Sequence, residues 1–350
     1  MTRFDNKAAQ LHSMIARRRS AGAQRRGAAA ARKGYPRRRL TPRYTRKPRA
    51  RNEIWVYHNG RYEKENICAE RWMRLIYENP VGSAPLLFLL KRKAVSRLYG
   101  MYCRTSFSAK KIPHFIRRYQ VDMTGCEEEY KNFAEFFSRA RNDVAFPADP
   151  HKLGSPCEGM ASAVTGVDIN NMIAAKGSYF PLAELLDDEG LAARYEGGAM
   201  LRVRLTPVNY HRIHFFDEGV VKTLKYLNGS LYSVSPLALG RVGRLYCRNK
   251  RALTILSTRN FGDVAMVEVG ATFVGSIVHC FEQGDSVDRG GQASFFLPGG
   301  SLLLMFFQKG TFIPDEALLN QTLKGFETKV GVGEALGIRP SGQLNSGGSS

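Results

Sequence analysis

A chain of 350 residues with 43% hydrophobic content can hold one large or two small domains around a real core, which excludes a wholly disordered polymer. Its net charge of +21 is unevenly placed: residues 1–52 carry 17 Lys and Arg against one acid, Asp5, for a net of +16, and the rest holds only +5. The longest apolar runs, "APLLFLL" (84–90) and "SLLLMFF" (301–307), fall far short of the roughly 20 residues that span a bilayer, so membrane contact is expected to be peripheral.

Residues 1–53 form a basic arm, rich in Arg, Ala and Pro, without the apolar periodicity that could offset its ordering entropy, and disorder is expected there. Three roles compete for it: nucleic-acid binding, a polybasic contact with anionic lipid, or an Arg-rich organelle presequence. From Ile54 to about Tyr119 the spacing predicts helices. "ENICAERWMRLIYENP", "APLLFLLKRKAVSRLYGMYCR" and "SAKKIPHFIRRYQVDM" place apolar residues three and four apart among Lys and Arg, and Ser108 is positioned to cap the last of them. "YKNFAEFFSRA" (130–140) adds a final helix before the prolines of "FPADPHKLGSP" break the pattern. Beyond about residue 155 short β-rich runs alternate with Gly: "MLRVRLTP", "GVVKTLKYLNGSLYSV", "ALTILST", "VAMVEVGATFVGSIVHCF" and "SLLLMFFQKGTFI".

The expected class is therefore α+β, with an N-terminal helical subdomain packed on an antiparallel, barrel-like β-rich domain. The boundaries fall at 1–53 (arm), 54–150 (helical, membrane-associating), 151–328 (β-rich, catalytic) and 329–350 (flexible tail). The six cysteines show neither paired nor metal-like spacing, so reduced thiols and no metal site are expected.

One stretch asks for explanation. "FFLPGGSLLLMFF" (295–307) sets Gly299, Gly300 and Ser301 between two apolar runs. On local pattern alone Gly-Gly is a hairpin turn. The alternative is a strained, closely approached backbone that presents the Gly300–Ser301 bond to the Ser301 hydroxyl.

Five further segments line up with it in order: "SPCEG" (155–159), "KGSYFPLAELL" (176–186), "RLTPVNYHRIH" (204–214), "LYSVSPLAL" (231–239) and "VGATFVGSI" (269–277). Together with "FFLPGGSL" and the upstream stretches from "YHNGRYEKENICAERWMRLIYENPVG" to "FAEFFSRARNDVAFPADP", the set resembles the phosphatidylserine decarboxylase proenzyme family, closest to its bacterial, clostridial-like branch. The resemblance spans about residues 54–313 and leaves out the arm.

It implies a pyruvoyl enzyme that builds its own cofactor. Ser301 attacks the Gly300 carbonyl, the ester eliminates, and the new terminus of the C-terminal piece becomes a pyruvoyl group, the two pieces remaining associated. Phosphatidylserine then forms a Schiff base through its amine and loses carbon dioxide, giving phosphatidylethanolamine. The base for Ser301, and the donor that returns a proton, falls to His211 or His214, and the orienting acid to Glu158. Three residues apart in an extended segment, the histidines point to opposite faces unless the strand bends. Glu158 stands where the family usually carries Asp, Leu302 where Thr or Ser is frequent, and Gln292 and Ala293 where an acid is usual.

The implied setting is peripheral, on the cytoplasmic face of a bacterial cell membrane or, reading the arm as an address, on the mitochondrial inner membrane. Anionic phospholipid is the expected partner, ahead of nucleic acid, and homodimerisation is left open. Two alternatives stand beside this reading: a pyruvoyl decarboxylase of a soluble amino acid, and a non-catalytic scaffold acting through the arm.

Overall fold

The computed structural model describes residues 54–65, 68, 70–71, 74, 93–175, 178–239, 242–271, 277–299 and 301–341. All of them belong to one compact unit, Tyr44–Ser350. The basic arm, most of the expected helices between 66 and 92, Gly300, and residues 342–350 lie outside the described residues.

The chain opens on a hairpin, β1 (Trp55–His58) and β2 (Arg61–Lys64), where a helix was expected. The reason is local: Asn59 and Gly60 both have positive φ (46° and 81°), the geometry of the tight turns that join twisted antiparallel strands. Helices follow at Lys93–Cys103, Ile112–Tyr119 and Phe133–Phe137. Ser108 does not cap the second of these. Its buried hydroxyl donates to the Cys103 and Thr105 carbonyls and accepts from Phe133 N, stapling the helices together. Asn132 caps the third by accepting from Glu135 N.

The β-rich half runs β3 (Lys152–Gly154), β4 (Gly159–Thr165), β5 (Met172–Ala175), β6 (Ser178–Phe180), β7 (Ala199–Leu205), β8 (Arg212–His214), β9 (Gly219–Leu227), β10 (Arg251–Thr258), β11 (Gly262–Gly270), β12 (Ile277–His279), β13 (Ser286–Val287), β14 (Gln292–Phe296), β15 (Ser301–Phe307), β16 (Ile313–Pro314), β17 (Glu327–Val330) and β18 (Ala335–Ile338). Short helices at Leu182–Leu186, Glu189–Ala193, Pro236–Leu239, Leu245–Arg248 and Glu316–Leu323 connect them. The main sheet has ten strands in the order β13-β9-β10-β11-β15-β7-β4-β17-β1-β2. Every pairing in it is antiparallel except β1 with β17. The sheet is open, not barrel-like, because β13 and β2 end it without meeting. Two three-stranded sheets, β12-β14-β8 and β16-β18-β3, and the pair β5-β6 complete the fold.

β15 lies in the middle of the large sheet with all seven residues buried. Its unbroken apolar run follows from cover on both faces. Leu302, Leu304 and Phe306 pack with Val267, Leu182 and Leu185 on one side. Leu303, Met305 and Phe307 pack with Leu205, Phe216 and Phe296 on the other. The helical layer has its own cluster of Cys103, Ile112, Phe133, Phe136 and Phe137, which touches Val208 just before the histidine segment. The expected flexible tail from 329 is corrected by β17 and β18, which carry the ordered fold to Ile338.

Candidate active site

The glycine-rich stretch before Ser301 is not a hairpin turn. β14, which precedes it, pairs with β12 and β8, whereas β15, which follows it, pairs with β11 and β7. The chain changes sheets between Phe296 and Ser301, and Gly299 lies there at φ +143°, a region that side chains disfavour. Ser301 then enters the main sheet opposite Gly270 and Leu205. Its hydroxyl is fully buried and makes no hydrogen bond, a state that ordinarily costs about 1–3 kcal/mol.

His211 lies just before β8, in a segment tied to the end of β14 by Phe296 N donating to the His211 carbonyl at 3.0 Å. Its ring is fully buried and packs on Phe137 at 3.9 Å between centroids. Nδ1 lies 2.8 Å from the Asn209 carbonyl. A carbonyl only accepts, so Nδ1 carries the proton and Nε2 is a bare lone pair. Nε2 has no hydrogen-bond partner. Burial pushes the imidazole down to about 3 and nearby Arg139 adds to the effect, against the pull of the Asn209 and Gly299 backbone. The ring is thus neutral at pH 7, a proton acceptor beside the residue two positions before Ser301.

His214, at the end of β8, is held differently. Nδ1 donates to the Gly290 carbonyl at 2.9 Å, and Nε2 accepts the Tyr210 hydroxyl at 2.8 Å. Both ring nitrogens are used. Burial lowers its pKa as well. The two histidines therefore have separate surroundings, as their spacing requires, and only His211 offers a free nitrogen.

Glu158 does not orient either histidine directly, which corrects the expected acid–base contact. Its carboxylate accepts Asn209 Nδ2 at 2.6 Å and Tyr210 N at 3.3 Å, and Arg141 Nη1 lies 3.6 Å away. The acid instead grips the turn that carries the Asn209 carbonyl, and that carbonyl aims His211. Asn209 Oδ1 is engaged in turn by Thr206 N and Oγ1, both at 2.8 Å. Gly159 sets Glu158 close to β7, since a Cβ there would fall 2.6 Å from the Arg204 carbonyl.

Sequence reasoning missed Arg139 and Asn209. Arg139 is 2% exposed, and of its nitrogens only Nη2 is bonded, to the Val208 carbonyl at 3.1 Å; Nε and Nη1 have no partner. The Tyr130 hydroxyl, close enough to feel the Arg139 charge, is also buried and unpartnered. Asn209 left a trace in the sequence: Asn three residues after Thr across Pro207 is a side-chain-closed turn. Arg139 left none, because its neighbours are brought in from distant segments. All six cysteines are free thiols, and no metal-binding cluster occurs among the described residues.

Residues 133–338 match the family model of phosphatidylserine decarboxylase. The chain is 41% identical over 290 residues to a phosphatidylserine decarboxylase proenzyme of Ruminiclostridium cellulolyticum, covering 81% of this chain and 97% of that protein. It is 40% identical over 283 residues to that of Clostridium novyi, covering 79% and 96%. A Clostridium botulinum proenzyme of the same name is 37% identical over 291 residues, covering 81% and 99%. With Ser301 heading the central strand of the fold and close relatives aligned over most of its length, the chain belongs to the phosphatidylserine decarboxylase family.

Proposed function

We propose that this enzyme matures by cutting itself before Ser301 and then converts phosphatidylserine to phosphatidylethanolamine and carbon dioxide. One observation carries the reading: a serine hydroxyl and an imidazole lone pair, both buried and both without a hydrogen bond, at the segment where the family resemblance puts the cut. Folded proteins rarely leave such groups unpaired without a use for them.

Cleavage needs the hydroxyl proton removed as Ser301 attacks the carbonyl of residue 300. His211 Nε2 is the unengaged acceptor. Asn209 fixes its tautomer, and Glu158 fixes Asn209. A pyruvoyl group fits position 301, whose side chain is enclosed and unpartnered at the head of a strand held on both sides. Such a group supplies a ketone that can engage the headgroup amine and act as electron sink while carbon dioxide leaves. Neutral His211 is suited to accept the proton that the headgroup ammonium must shed. Arg139 offers an uncompensated positive charge to the phosphodiester, whose charge does not change during the reaction.

After the cut the two pieces stay together. β15 is paired on both edges and β17 lies between β1 and β4, so residues 301–341 cannot leave without dismantling the sheet. Lipid contact is peripheral, through the helical layer. Leu98, Met101 and Phe107 are 67%, 61% and 64% exposed there, beside Lys110 and Lys111, and no described helix is long and apolar enough to cross a membrane. Exposed apolar residues rimmed by cations suit an anionic lipid surface.

The test is intact-mass spectrometry of the purified chain beside Ser301→Ala, followed by carbon dioxide release from phosphatidylserine vesicles. The wild type should give two fragments joined formerly at residues 300 and 301, the C-terminal one lacking a free amine, and the variant one uncut, inactive chain. A single chain from both would overturn the reading in favour of a scaffold. Cleavage with release only from free amino acids would replace the substrate.

A further inference from the structure

Replacing a carboxyl group by hydrogen consumes one proton in every turnover. His211 is committed to the proton shed by the headgroup ammonium, which the product amine takes back on release, and His214 spends both nitrogens on Gly290 and Tyr210. A buried, direct acid–imidazole pair lies elsewhere. Glu268 of β11 and His279 of β12 meet at 2.5 Å between Oε2 and Nε2, their side chains 4% and 2% exposed. The other Glu268 oxygen accepts the hydroxyl of Ser294 on β14.

The direction of these bonds follows from chemistry. A carboxylate only accepts, so His279 carries its proton on Nε2, and its bare Nδ1 accepts the Tyr226 hydroxyl at 3.0 Å. Tyr226 is 58% exposed. Donor faces acceptor in one sense from the surface tyrosine to the interior carboxylate.

The sheet register puts Glu268 on the same face of the main sheet as the reacting residue. Ser301 pairs with Gly270, and Leu303 with Glu268. Cross-strand partners share a face, as do residues two apart, so Glu268 and Ser301 stand on the same face as diagonal neighbours, about 7 Å apart. Glu268 also reaches the "SPCEG" segment, where its charge helps burial push the Cys157 thiol up.

We propose that Tyr226, His279 and Glu268 carry the proton that replaces carbon dioxide at the substrate carbon; this rests on the decarboxylase reading above. Tyr226 passes its hydroxyl proton to His279 Nδ1 and is reprotonated by water. His279 gives its Nε2 proton to Glu268. Glu268 donates that proton to the carbon left with the electron pair of the broken carbon–carbon bond, and becomes a carboxylate again. The imidazole returns to its starting tautomer before the next turnover. One proton from water enters for each carbon dioxide released.

The experiment uses the whole chain. His279→Ala should cut itself like the wild type by intact mass, yet lose on the order of 30-fold in kcat on phosphatidylserine vesicles with KM little changed. Added imidazole should restore much of the loss. Tyr226→Phe, an exposed change that leaves the fold intact, should cost several-fold. A kcat for His279→Ala within twofold of wild type, or a loss that imidazole does not touch, would overturn the proposal. A readout independent of turnover is nitrogen NMR of labelled histidine in the uncut Ser301→Ala chain. His279 should be the Nε2–H tautomer, with an Nδ1 resonance that moves on Tyr226→Phe; the opposite tautomer would reverse the relay and sink it. Wild-type vesicle assays run in parallel keep the two readings apart: no decarboxylation there counts against the function, and the NMR still decides the relay.

Discussion

Two buried arginines, Arg204 and Arg139, show what the interior of this protein is built to tolerate. Arg204 on β7 is 3% exposed and fully engaged: it bonds both Glu65 oxygens at 2.8 and 2.9 Å and Glu327 Oε2 from Nη2 at 2.5 Å. Through it Glu65, just after β2, is tied across the sheet to β7 and to Glu327 on β17. Arg139 is as deeply buried, 2% exposed, but gives a single bond to a carbonyl, and its neighbours His211 and Tyr130 each hold a further unpartnered polar atom. The first cluster is closed and holds the fold. The second is open and awaits chemistry, since a buried polar group left unpaired costs free energy that nothing structural returns.

The largest expected effect comes from breaking the closed cluster. Arg204→Met leaves Glu65 buried without its partner and Glu327 with Arg202 alone, and should cost about 3–5 kcal/mol of stability. Denaturant midpoints in the Ser301→Ala background, where cleavage does not intervene, measure it. Activity per folded molecule in the self-cleaving chain should survive. A loss below about 1 kcal/mol would mean that the two clusters do not differ as their hydrogen bonds say.

A smaller effect, of the opposite origin, belongs to His211. Its folded pKa is depressed from 6.5 to about 3 by burial. The stability tied to its neutral form is therefore present above pH 6.5 and is lost as pH falls from there toward about 3. Linkage puts the loss at about 2 kcal/mol between pH 7 and pH 5. His211→Phe, again in the Ser301→Ala background, should flatten that part of the stability curve, while His214, depressed in the same direction, titrates in both chains and cancels. Equal pH slopes for the two chains would show that the ring is already wet.

How much of this was legible beforehand depended on whether a feature is local. The β-rich half and the buried run of β15 stood in the sequence, because strand texture is a property of neighbouring residues. The terminal hairpin was also local, written in Asn59-Gly60, but the helical pattern after it overrode the turn signal. The division between His211 and His214 was not legible: it rests on the Asn209 and Gly290 carbonyls and the Tyr210 hydroxyl, which only the folded chain aligns. Glu158 looked like the partner of a histidine because motif order gives proximity, not which atom is bonded. Glu268 and His279 were invisible as a pair, since β12 and β11 belong to different sheets.

The smallest effect on stability sharpens the comparison most. Arg139→Met keeps the volume and the stacking on Phe136, whose ring centre lies 5.3 Å from the guanidinium carbon. It removes one hydrogen bond to Val208, about 1 kcal/mol, and with it a buried charge that has no counterion among the described residues. The two contributions oppose each other, so the melting temperature should stay level or rise slightly, where Arg204→Met lowers it steeply. What the substitution should damage is recognition: KM for phosphatidylserine vesicles rises about tenfold, with self-cleavage unchanged by intact mass and kcat nearly so, because the phosphodiester charge is the same in substrate and transition state. A steep fall in stability would instead make Arg139 a structural residue like Arg204, and an unchanged KM would remove it from the headgroup site. A substitution that leaves the fold alone and weakens only substrate binding is the behaviour that separates a group held in reserve for a ligand from one that holds the protein together.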